Sequence, residues 1–161
     1  MQKRRLRIYL DSNVLISLAR QELGRGFRML AQDSEAFLSL CDEGDHTLVL
    51  SDLFFGEIEK IISLGKADVI GLLKKYNAKT ETAGEGNKSK EADKLQKKTG
   101  MHFADSLHLA LALDSKCDVL VSWNKGDFSA AEKFIRCLTP EEFICEFSQN
   151  SAWQARPSVS A

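Results

Sequence analysis

The feature that most constrains the fold is a recurring handover: a short, continuous apolar run ends on an acid or a hydroxyl, and a helix-period pattern begins. "LRIYL" (6–10) runs into Asp11 and Ser12, and "NVLISLARQEL" follows with apolar residues at helical spacing. "HTLVLS" (46–51) runs into "SDLFFGEIEKIISLG", where Ser51 or Asp52 is placed to cap a helix reaching Gly65. "DVLVSW" (118–123) and "FIRCL" (134–138) repeat the strand signature, and the second leads to Thr139 and Pro140, a cap and a first-turn proline, opening a helix to Phe147. Helical spacing is also read over 27–43, 67–76 and 102–116, the last apolar nearly all round, as in a helix enclosed between layers. Short apolar strands alternating with helices predict an α/β fold whose parallel sheet is covered on both faces. The functional crevice of such a fold lies at the carboxyl ends of its strands, which is where Asp11 falls.

At 161 residues, 43% of them hydrophobic, the chain can bury one sizeable core, so one domain over 1–147 is expected, with a Ser- and Ala-rich tail at 148–161. The stretch "NAKTETAGEGNKSKEADKLQKKTG" (77–100) loses hydrophobicity; it reads as a polar insert, a mobile surface loop followed by a short polar helix over 91–98. Twenty-two Lys and Arg face 23 Asp and Glu, so a polyanionic partner must be met by a local patch rather than by the field of the whole molecule. The four cysteines have no C-x-x-C spacing and read as reduced, mostly packed thiols. The basic start is followed by too short an apolar run for a secretory signal or a membrane span, and the expected location is cytoplasmic.

Four separate segments deliver oxygen ligands. Asp11 follows the first strand, Glu57 lies on the helix entered from the second, Asp105 opens the enclosed helix, and Asn124 with Asp127 follows the third in "VSWNKGDF". A hard divalent cation, Mg²⁺ or Mn²⁺, is the demand that such a set would meet, by activating water against a phosphodiester. Each residue also has a plainer reading. Asp11 is a favoured helix cap, Glu57 suits a solvated helix face, with Glu59 an equally plausible candidate for the site by composition, and Asn124 and Asp127 suit a turn around Gly126. Asp105 is harder to explain so, since an acid amid "FADSLHLALAL" is costly to bury without a partner, although the helix dipole would help it.

"YLDSNVLI", "LSDLFFGEIEKI", "HFADSLHLALAL" and "VLVSWNKGDF" together resemble the four motifs of the PIN domain, in order and over about residues 6–147. The resemblance implies a three-layer α/β/α sandwich with a central parallel sheet, and Mg²⁺- or Mn²⁺-dependent ribonuclease activity. It carries the catalytic and metal-site roles onto Asp11, Glu57 and Asp105, and the less constant fourth position onto Asn124 or Asp127. Small members are often VapC-like toxins of toxin–antitoxin pairs, so the expected partners are an RNA substrate and an antitoxin protein, with a homodimer and no membrane. Two features depart from the pattern: Asn124 stands where many relatives have Asp, and the insert is long for a minimal toxin. They leave open an RNA-processing nuclease or a non-catalytic binding module. A phosphotransferase of the haloacid dehalogenase type is set aside, because Asn13 occupies the place of its second Asp.

Ser12, Asn13 and Ser51 lie beside these acids and read either as caps or as residues orienting a carboxylate. His108, one turn beyond Asp105, reads as structural, and Trp123 as packed on the enclosed helix rather than stacked on a base. "KRRLR" (3–7) is one basic patch, and Lys88, Lys90, Lys94, Lys97 and Lys98, interspersed with acids, form a second that resembles an ordinary solvated face. Val14, Leu15, Leu18, Phe54 and Phe55 are expected in the core, with part of that stripe open to a dimer or antitoxin groove.

Overall fold

The computed structural model describes residues 4–20, 28–84 and 86–148. Within them the order is β1 (Arg7–Leu10), α1 (Ser12–Ala19), α2 (Arg28–Glu43), β2 (Thr47–Leu50), α3 (Asp52–Ile62), α4 (Lys66–Lys75) and β3 (Lys79–Thr82). Then come α5 (Ser89–Thr99), α6 (Phe103–Asp114), β4 (Val119–Val121), a 3-10 turn over Ser129–Lys133, β5 (Arg136–Leu138) and α7 (Pro140–Phe147). The five strands are all parallel, in the order β3-β2-β1-β4-β5.

That order reverses direction at β1. The chain first steps outward from β1 to β2 to β3, then crosses back to β4 and β5. Right-handed crossovers demand that helices change faces when the direction reverses, and they do. Ile8, Leu10, Leu48, Leu50, Val119 and Val121 pack with α1, α2, α3, α4 and α7. Tyr9, Val49, Leu120 and Cys137 point the other way, toward α6, Leu95 of α5 and the 3-10 turn. Period-two alternation thus divides one apolar run between two cores, giving the three-layer α/β/α sandwich.

Local chemistry sets several boundaries. Ser51 caps α3 by accepting the Phe54 N–H at 3.1 Å, and α3 stops at Ser63, which adopts the left-handed conformation at φ 57°. Thr139 and Glu142 form a reciprocal capping box on α7 with Pro140 in its first turn. Gly100, at φ 74°, closes α5.

Three expectations are corrected. The stretch read as a loop from residue 77 contains β3, an edge strand with all four residues exposed, pairing with β2 from Lys79↔Thr47 to Thr82↔Leu50. It has no apolar face because it lies at the sheet's rim, where charged residues also discourage pairing with other chains. The polar helix is longer than 91–98. Phe134 and Ile135 lie outside β5, leaving Arg136–Leu138 as the strand. The continuation of α1 beyond residue 20, the start of the second helix at Phe27 and the tail from 149 lie outside the described residues.

Candidate metal centre

Asp11 sits at the reversal point, between the carboxyl ends of β1 and β4, where its N–H donates to the Val121 carbonyl at 3.0 Å. It occupies the N-cap position of α1, yet its side chain makes no cap hydrogen bond. The capping explanation therefore fails for this carboxylate. Its Oδ2 instead accepts the Ser122 hydroxyl at 2.7 Å, and Ser12 Oγ stands 3.4 Å from Oδ1. Ser122 is itself held: its oxygen accepts from Asn13 Nδ2 and from the Asn124 N–H, each at 3.0 Å. Asn13 completes the link by accepting the Trp123 N–H at 3.1 Å. The sequence "DSN" after β1 and "SWN" after β4 thus lock together around the acid.

Only 6% of Asp11 is exposed. Burial pushes its carboxyl above the ordinary value, Glu57 adds to that, and the charge of His108 and the Ser122 hydrogen bond oppose it.

Glu57 reaches the same point from α3. Its Oε1 lies 2.6 Å from His108 Nε2, and Ser12 Oγ is 3.3 Å from that oxygen. His108 Nε2 is also 3.8 Å from Asp11 Oδ1. One ligand atom from each of Asp11, Glu57 and His108 falls within 4.8 Å of the others.

Behind the imidazole runs a buried chain. Tyr9 Oη is 2.6 Å from His108 Nδ1 and 2.8 Å from Ser51 Oγ, which accepts the Phe54 N–H. One proton order satisfies every member: Phe54 N–H to Ser51, Ser51 to Tyr9, Tyr9 to Nδ1, and Nε2–H to Glu57. Burial pushes the Tyr9 phenol far up, so it remains a donor. At His108 burial opposes charge, but the Glu57 hydrogen bond and the charges of Asp11, Glu57 and Asp105 outweigh it and raise the imidazole above its ordinary value.

Asp105 lies in the first turn of α6, three residues before His108, so both project from nearby faces of the helix. Its carboxyl is raised by burial, then by the charges of Asp127 and Asp11, with His108 and His102 opposing. Among the described residues no hydrogen bond reaches the Asp105 or Asp127 carboxylates. Asn124 and Asp127 are exposed, and the Asp127 N–H donates to the Asn124 carbonyl at 3.0 Å, so both do form the turn around Gly126.

The donors suit a hard divalent cation. Carboxylate oxygens dominate the set, one imidazole is adjacent, and Asp11 and Asp105 are each raised in part by neighbouring carboxylates, a repulsion that a cation relieves.

A family model described as the PIN domain matches residues 7–126. The chain belongs to the PIN domain family. No curated protein sequence matches it. Two similar solved structures are VapBC2 from Rickettsia felis bound to a DNA fragment from its promoter, and VapBC-1 from nontypeable Haemophilus influenzae. The first is 14% identical with a TM-score of 0.59, covering 83% of this chain and 98% of that one. The second is 16% identical with a TM-score of 0.55, covering 84% and 99%. They share the fold of this PIN domain.

The PIN-domain match includes Asp11, Glu57, Asp105 and Asn124 and stops one residue short of Asp127. Sequence reasoning missed the part played by His108, which stands inside the cluster, and by Ser122 and Tyr9. His108 carries a signal in its three-residue offset from Asp105. Ser122 carries another, as a hydroxyl at a strand's carboxyl end. Trp123 packs on the other face of the sheet from the enclosed helix, donating its indole N–H to Ser34 of α2 at 3.0 Å. In the first basic patch Arg4 pairs with Asp118, Arg5 with Asp45 and Arg7 with Glu81, toward the strands' amino ends, and Lys3 lies outside the described residues. All four cysteines are free thiols. No helix among the described residues is long and apolar enough to cross a membrane.

Proposed function

We propose that the chain is a divalent-metal-dependent endoribonuclease and the VapC-like toxin of a toxin–antitoxin pair. The observation that carries this reading is Asp11: a buried carboxylate at the fold's reversal point, freed from helix capping and held within 4.8 Å of ligand atoms of Glu57 and His108. Asp11, Glu57 and Asp105 would hold Mg²⁺ or Mn²⁺, with Asn124 or Asp127 assisting at the open rim. The cation would supply charge stabilisation at the phosphodiester and activate the attacking water.

The protein's own groups do the positioning. Ser122 fixes the rotamer of Asp11. His108, oriented by Tyr9, presents Nε2 to Glu57 and fixes one of its oxygens. Asp105, with no hydrogen-bond or ion-pair partner among the described residues, keeps its lone pairs for ligands. PIN membership supports nuclease chemistry, and the likeness to two VapBC structures supports the toxin role with an antitoxin partner.

A second reading, a PIN fold serving as a non-catalytic binding module, is favoured by two observations: Glu57 is already engaged by His108, and Asn rather than Asp stands at 124. One experiment separates the two: cleavage of a mixed RNA pool with Mn²⁺, Mg²⁺ or EDTA, by wild type and by the Asp11→Asn, Asp105→Asn double variant. Metal-dependent cutting that the variant loses is the expected result. Absence of cutting by either protein, together with absence of metal binding, contradicts the nuclease and leaves the module.

A further inference from the structure

Beside the acids lies a second cleft that the reaction as described does not use. Its volume is about 690 Å³, within the range of small-ligand sites, and it opens at the carboxyl ends of β2 and β3. It shares walls with the metal centre: Leu53 is one helical turn before Glu57 on α3, Leu107 precedes His108 on α6, and Ser51 belongs to the chain that orients His108. Its outer wall is formed by residues 82–84 and 86–89, part of the polar insert.

That wall is anchored. Lys88 pairs with Asp114 of α6 at 3.0 Å, and Gly84 lets the backbone approach the same carboxylate, where a Cβ would stand 3.1 Å from Asp114 Oδ2.

The other lysine of the cleft is placed against its own helix. Lys66 is the first residue of α4, where the positive end of the helix dipole disfavours a cation. Among the described residues it forms no ion pair. Its ammonium lies over the Phe55 ring, 4.9 Å from the centroid. A cation at a helix start is a departure from local preference of the kind expected at functional positions.

We propose that this cleft is a nucleotide subsite, taking a residue that flanks the scissile phosphate of single-stranded RNA, with Lys66 on its phosphate and its base against Leu53 and Leu107. The choice of RNA rests on the ribonuclease reading. Single-stranded RNA is the form whose unstacked bases can enter such a cleft. Asp52 also lines the cleft, and Lys66 is its one ammonium without an ion pair among the described residues, suited to a single phosphate, while apolar side chains from α3 and α6 match the face of a base.

The test compares Lys66→Glu with Lys74→Glu, the same charge change on the same helix away from the cleft. A fluorescein-labelled single-stranded RNA decamer is titrated in EDTA, cleavage is measured with Mn²⁺, and melting temperature is recorded. Lys66→Glu is expected to weaken RNA binding and raise KM by about 10-fold or more, with kcat within about 3-fold. Lys74→Glu should change binding less than about 3-fold. Melting of Lys66→Glu should hold steady or rise, because an acid suits a helix start. Equal effects of the two variants, or no effect of either, overturn the subsite even where wild type cleaves. If wild type binds RNA without cutting it, the nuclease reading falls, and selective weakening by Lys66→Glu still supports the subsite. Failure of wild type to bind the decamer overturns it.

Discussion

The inner and outer halves of the acid cluster are built in opposite ways. Asp11 and Glu57 are gripped: Ser122, Ser12 and His108 take their oxygens, and Asn13, Tyr9 and Ser51 hold those groups in turn. Asp105 and Asp127 have no hydrogen bond to their carboxylates among the described residues, and the charge of Asp127 helps to raise Asp105. Rigid ligands with free ones opposite them suit a cation that keeps part of its water while substrate binds. The inner half sets the position of the centre, and the outer half is left for what arrives.

The largest expected effect lies in the gripped half. Glu57→Gln keeps the shape but removes a charge facing Asp11, and cleavage should fall on the order of 100-fold or more, measured as kcat/KM with Mn²⁺. If Asp127→Asn cost as much, the two halves would not differ as described.

Next is the support of Asp11. Ser122→Ala removes its hydrogen bond and strands Asn13 Nδ2 and the Asn124 N–H, so Mn²⁺ affinity should drop about 10-fold to 100-fold by calorimetry. An unchanged affinity would mean that Asp11 is placed by the backbone alone.

Acid should blunt metal stabilisation. Asp11 and Asp105 have raised folded values, so the metal-free fold retains protons that the unfolded chain has released. Its stability therefore falls as pH rises from the ordinary carboxylate range through those folded values, and raised His108 acts in the same direction at higher pH. Mn²⁺ replaces these protons, so its increment in melting temperature should be larger at pH 7.5 than at pH 5, read by differential scanning fluorimetry. Equal increments would argue that the cation does not bind at these carboxyls.

The smallest effect belongs to the rim. Asn124→Asp adds an acid beside Asp127 and should tighten Mn²⁺ binding by a few-fold at most, about 1 kcal/mol, because the position is exposed and screened.

The same division explains what could be read from the sequence. The buried strands and the helices that follow them were legible because continuous apolar runs have one economical arrangement, and Asp11 and Asp105 stood out against that background, whereas only the motif resemblance separated Glu57 from Glu59. β3 was not legible: "KTET" is an edge strand whose pairing is made by backbone, and its side chains carry no apolar record of it. The place of His108 inside the cluster was not legible because a histidine amid leucines looks the same whether it packs or bridges, and only the positions of Tyr9 and Glu57 decide which. Trp123 was assigned to the wrong layer for a related reason. Its side of the sheet depends on the register of β4, which an apolar run of three residues does not specify.

The most direct test of the account is Mn²⁺ binding by the chelator-treated protein, followed by isothermal titration calorimetry for wild type and Asp11→Asn. The account predicts binding by wild type and its loss, by more than about 100-fold, in the variant, with the fold intact by circular dichroism. Equal binding by the two proteins would contradict the claim that the carboxylate at the reversal of the sheet is the anchor of a cation site.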